Sequence, residues 1–178
     1  LHQADGTGTA DTQTVEIISG ANTSETFDFT LNIQANDADA ADVDDAEVES
    51  VTIIDSDTEN NIVDINSGAE HTGTLTLTGG RANDTFTVTA PAGLVSTTVN
   101  AVGQLSDVTI TVGTEDQTIT MGSGDDEVTF EAVEDLDEND TLDGGDGTDT
   151  LITGISADHT DELNSTNFEI LKIDADAS

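Results

Sequence analysis

Cysteine is absent from the 178 residues, so neither disulfide staples nor thiolate metal sites are available. Tryptophan and tyrosine are absent too, and aromatic residues make up 3% of the chain, too few for the aromatic platforms that sugar clefts usually want. Positive charge is almost missing: Lys172 and Arg81 stand against 39 Asp and Glu, for a formal net charge of −37 with His2, His71 and His159 neutral. Such a field repels nucleic acid and anionic membranes and strains the compact state by self-repulsion. It calls for cations. No apolar run approaches the roughly 18 residues of a membrane span, so membrane insertion is not expected. The chain opens on Leu1 with no recognisable signal peptide, which points to a processed product or a piece of a longer protein.

What is present is strand texture. Hydrophobic residues reach 34%, and Val, Ile, Leu and Phe alone exceed the roughly 20% below which disorder is the default. Apolar residues alternate with Thr, Ser and Asp in short runs broken by Gly, Asn and Asp, the pattern of half-buried strands. The clearest are "TVEIIS" (14–19), "TFDFTLNI" (26–33), "VESVTIID" (48–55), "NIVDIN" (61–66), "TLTLT" (74–78) and "TFTVT" (85–89). "STTV" (96–99), "VTITV" (108–112), "TITM" (118–121) and "FEILKI" (168–173) follow. Helix signals are confined to residues 35–48, where the Asp content favours a charged loop, and to residues 156–166, where Ser156 could cap a turn.

A repeat organises the acidic residues. "VGTEDQTIT" (112–120) aligns with "MGSGDDEVT" (121–129), and "DLDENDTLD" (135–143) runs into "GGDGTDTLI" (144–152), all in one nine-residue frame. The last unit fits the nonapeptide G-G-x-G-x-D-x-U-x at each defined place, and "GGRANDTFT" (79–87) fits with Ala82 in place of the third glycine. In such a unit six residues make a turn whose glycines tolerate positive φ, and three make a short strand with one apolar side chain in the core. Two units form one coil, so turns alternate sides and units two apart stack. Carboxylates and turn carbonyls then converge between turns, a hard-oxygen set that suits calcium, with its six to eight flexible ligands, better than magnesium.

On these residues the sequence resembles the calcium-binding nonapeptides of RTX proteins. With "DTLITGIS" and "NFEILKI" after the last repeat, it is similar to the RsaA-like surface-layer (S-layer) proteins of Gram-negative bacteria and their adhesin relatives. The close motif match covers residues 112–152 and 79–88. The resemblance implies a parallel β-solenoid or β-roll over residues 48–178 with its calcium roll at about 112–152; the strand texture makes the chain all-β, with residues 1–47 expected as an arm and small antiparallel segment. The resemblance also implies Ca2+ as cofactor. The family's ligand roles, carboxylate at the sixth place and carbonyl at the glycine places, fall on two clusters. Gly122, Gly124 and Asp126 would face Gly145, Gly147 and Asp149, with Asp125 and Asp146 nearby. On the other side Glu115 and Asp116 would face Asp137, Asn139 and Asp140, and a third site could involve Asn83 and Asp84. Met121, Asp135 and Gln117 depart from the pattern, and residues 131–134 interrupt its rhythm.

The competing reading is that Asp-Gly clusters between strands are ordinary turns; here the repeated spacing and the uncompensated charge favour calcium. His71 and His159 stand singly and read as surface residues. Asp125 and Asp126 could in principle serve a glycosidase, but no nucleophile elbow, P-loop, zinc-protease or dinucleotide fingerprint appears, so no enzyme is expected. Three functional classes follow. The first is a secreted, calcium-dependent structural protein of the cell surface that self-assembles in a lattice, with cell-surface polysaccharide reached through missing regions. The second is an adhesin domain or a filament subunit joined by strand addition. The third is an ice-binding face tiled by threonines, a weaker signal because Thr is common in strands.

Overall fold

The computed structural model describes residues 12–18, 26–32, 50–56, 59–66, 73–89, 98–113, 116–133, 135–154 and 163–174. Fourteen strands run through them: β1 (Thr12–Ile17), β2 (Phe27–Asn32), β3 (Ser50–Asp55), β4 (Asn61–Asn66), β5 (Thr74–Gly79), β6 (Thr85–Thr89) and β7 (Thr98–Gln104), followed by β8 (Asp107–Val112), β9 (Thr118–Thr120), β10 (Glu127–Val133), β11 (Thr141–Asp143), β12 (Thr150–Gly154), β13 (Ser165–Thr166) and β14 (Ile170–Asp174). Odd-numbered strands form one seven-stranded sheet and even-numbered strands a second, each in sequence order. Every pairing is parallel, so the chain alternates between sheets as it climbs: a parallel β-solenoid, with no helix among the described residues.

The period-2 pattern explains the two faces. In β3 and β8 burial alternates residue by residue, with Val51, Ile53, Val108 and Ile110 inside. Parallel in-register pairing then stacks like on like. Phe29, Val63, Val88, Ile110, Val128, Leu151 and Leu171 form one inward column, one residue per even strand. Five of these seven are buried, and each such burial contributes roughly 1.5–3 kcal/mol. At β14 the inward side chains are exposed, Leu171 by 51% and Ile173, in line with Thr153, by 52%.

The first strands correct one expectation. β1 pairs parallel with β3, and β2 with β4, so the described part of residues 1–47 belongs to the solenoid and makes no antiparallel segment. Local alternation reveals a strand but not its direction relative to a partner, which is set by the long returns between sheets. The acidic stretch 35–48 and most of 156–166 lie outside the described residues; of the latter, Ser165 and Thr166 form β13.

Candidate metal centre

The nonapeptide frame places its turns as the repeat requires. β10 and β12 pair with Glu127 opposite Thr150, and β9 and β11 with Thr118 opposite Thr141, so the turn 121–126 stacks on 144–149 while Gln117 stacks on Asp140 at the opposite edge. In the first stack Ser123 bridges Asp146, and the Asp146 N–H donates to the Gly122 carbonyl (3.0 Å). The approach is close enough that a β-carbon on Gly145 would strike the Gly122 carbonyl oxygen and one on Gly147 that of Gly124. Both glycines also have positive φ, 93° and 142°. A side chain at either would be doubly excluded.

Two carboxylate ladders run through this stack in opposite senses. Going up, Asp107 accepts the Asp125 N–H (2.9 Å) and Asp125 accepts the Thr148 N–H (2.9 Å). Going down, Asp126 accepts the Val108 N–H (2.7 Å), Asp149 the Asp126 N–H (2.8 Å) and Glu169 the Asp149 N–H (2.8 Å). The Oδ2 atom of Asp126 also accepts the Gly122 N–H (3.3 Å). Asp125 and Asp146 stay exposed, whereas Asp126 and Asp149 are fully buried.

Burial sets the electrostatics of the inner pair. Desolvation pushes the Asp126 carboxyl up to about 6, with the Asp149 and Asp107 charges adding to it against the Val108 and Gly122 N–H groups. Asp149 is raised as well, by burial first and then by Glu169, Asp125 and Asp143. Its Oδ2 atom is buried and has no hydrogen-bond partner among the described residues. A buried carboxylate oxygen without a donor is costly unless a proton or a cation meets it.

At the opposite edge Asp140 is 1% exposed and accepts the Gln117 N–H (2.7 Å) and the Asp137 N–H (2.8 Å). Its carboxyl is raised by burial, with Asp137 and Asp116 adding negative charge. Asp137 accepts the Asn139 N–H (2.7 Å), so it closes its own turn. Asp116, Asp137, Asn139 and Asp140 therefore gather on one edge; Glu115 lies outside the described residues.

Asp84 does not join the inner pair. Thr85 is opposite Asp107, which aligns Asp84 with Ser106, whereas Asp126 follows Phe86 and Val108 in register. The cause is the two-residue turn of Leu105 and Ser106, shorter than the nonapeptide turns and preceded by a register shift in β7. Asn83 has φ 76°, a turn conformation that Asn tolerates. Sequence reading missed Asp107 and Glu169, which extend the ladders; their signal was spacing, 18 residues before Asp125 and 20 after Asp149.

Among the described residues no group of three or more His, Cys, Asp and Glu side chains is arranged as a metal cage. A cation here would instead take the carboxylates of adjacent rungs with turn carbonyls, an all-oxygen set in keeping with calcium. No family model, curated protein or solved structure matches the chain.

Proposed function

We propose that this chain is a secreted, calcium-dependent structural segment of a bacterial cell-surface layer, in which calcium gates folding and assembly. The observation that supports it most is the stack of Asp126 on Asp149, two fully buried carboxylates in adjacent rungs, the second with an oxygen that has no partner among the described residues. Asp126, Asp149 and Asp140 would supply carboxylate oxygens, and the turns around Gly122, Gly124, Gly145 and Gly147 carbonyls. Calcium would supply the positive charge that a chain of −37 lacks. Without it the buried carboxylates repel one another and resist desolvation; with it the folded state gains roughly 2.7 kcal/mol per site at a free concentration 100 times the dissociation constant. Dissociation constants of roughly 10⁻⁴ to 10⁻³ M are typical of extracellular modules, so such a chain would fold after leaving a low-calcium compartment.

The test is far-UV circular dichroism and sedimentation in chelator, followed by calcium titration with magnesium as control. β signal, compaction and then oligomers that appear only with calcium are expected. A chain fully folded in chelator that gives no calorimetric heat with calcium would overturn the proposal. The exposure of Leu171 and Ile173 on β14 favours a second reading, a filament or adhesin subunit joined by strand addition at that strand. In that case Leu171→Asp should abolish oligomers while leaving calcium heat intact.

A further inference from the structure

The threonines that the calcium reading leaves unused are sorted by the fold. On the outward face of the first sheet, Thr12, Ser50, Thr74, Thr98, Thr118 and Thr141 fall in one column by register, and Asn164 reaches Thr141 with its amide (3.1 Å). Two residues on, Thr14, Thr52, Thr76, Asn100, Thr120, Asp143 and Thr166 form a second. Eleven of these fourteen positions carry a hydroxyl, and one carries a charge. The outward columns of the second sheet are different: among their threonines stand Asp28, Asp64, Glu127 and Lys172, together with Ile62, Ile152 and Ile170. β-propensity would place threonine on both faces equally. It does not explain why these two columns hold one carboxylate, Asp143, and their counterparts on the second sheet three, although Glu16 and Ile54 flank the former on β1 and β3.

The result is an in-register array of methyl and hydroxyl groups, spaced about 4.8 Å across strands and about 6.6 Å along them. Its area, roughly 30 Å by 10 Å, falls well short of the roughly 800 Å² a side of a stable protein interface. It offers no aromatic platform for a sugar ring and no cation for an anionic partner. Ordered water needs neither. We propose that the outward face of the first sheet binds the surface of ice, its two hydroxyl columns holding water in a repeating array that merges with the crystal.

This inference does not depend on the surface-layer reading, since ice affinity requires only that the solenoid be folded. The test measures ice-recrystallisation inhibition and thermal hysteresis of the full chain in calcium, with folding verified by circular dichroism. Thr76→Lys and Thr120→Lys, central in the array, are compared with Thr109→Lys and Thr129→Lys on the second sheet. Inhibition by the unmodified chain is expected, with the first-sheet variants needing about tenfold more protein and the second-sheet variants unchanged. A folded, unmodified chain without inhibition overturns the proposal, as does equal loss from both faces. If the first-sheet lysines prevent folding, Thr76→Asn and Thr120→Asn replace them under the same criterion. A dimer that sediments in the unmodified chain and is lost in the first-sheet variants, without effect on ice, would assign the face to a second copy and also overturn it.

Discussion

One corner of the solenoid changes chemistry halfway along. By register the column reads Asn61, Phe86, Val108 and then Asp126, Asp149, Glu169, residues in equivalent places on successive even-numbered rungs. Phe86 and Val108 are as buried as Asp126 and Asp149, at most 1% exposed. The same backbone path is thus stabilised in two ways. At Phe86 and Val108 the side chain gains by leaving water; at Asp126 and Asp149 it loses by leaving water, and backbone N–H donors offset part of that loss. At this corner Phe86 and Val108 need no partner from solution, while Asp126 and Asp149 are poised for one.

Removing the apolar member should have the largest effect. Phe86→Ala is expected to cost about 3–5 kcal/mol, equally in calcium and in chelator, as read by urea denaturation. Dependence of that cost on calcium would mean the two halves are not separable.

Proton uptake should act on the acidic half alone. The Asp126 carboxyl lies near 6 in the folded chain against an ordinary 3.8, so the protonated group stabilises the fold. That contribution is complete below about pH 4 and is lost as pH rises through about 6. Without calcium the chain should therefore be more stable at pH 4 than at pH 7, by up to about 3 kcal/mol from this group. Amide exchange should report the gain at Val108 and at residues 121–152, with little change at 74–89. Calcium should flatten the profile by favouring the ionised form.

A milder change sharpens the contrast. Asp149→Asn keeps an oxygen to accept the Asp126 N–H while removing the charge, so in chelator it should alter stability by less than about 1 kcal/mol. The same variant should lose the calcium response of that edge, measured as heat by titration calorimetry. Smallest of all is Lys172→Ala: its pair with Glu127 (3.0 Å) is exposed, and its loss should cost no more than about 1 kcal/mol and vanish in high salt.

The strands were legible because their side-chain period is short and local, and "NIVDIN" and "TFTVT" match β4 and β6 at both ends. The stacking of Asp126 on Asp149 was legible too, since both turns share one nine-residue frame. What keeps Asp84 out of the Asp126–Asp149 stack was not legible, because that register is set by Leu105 and Ser106, a rung away, and not by the residues around Asp84. Glu169 was hidden in a stretch that reads simply as strand, and the two hydroxyl columns emerge only when sequence-distant Thr12, Ser50 and Thr74 are brought side by side.

The returns from the second sheet to the first are unequal: 17 residues separate β2 from β3, and five separate β8 from β9. In both places the following strand still enters the sheet in parallel alignment with its predecessor. The number of residues between the strands does not alter how the strands pair. A foreign peptide inserted between β2 and β3 should thus be carried as cargo, its copies displayed along one side of whatever array the solenoids build.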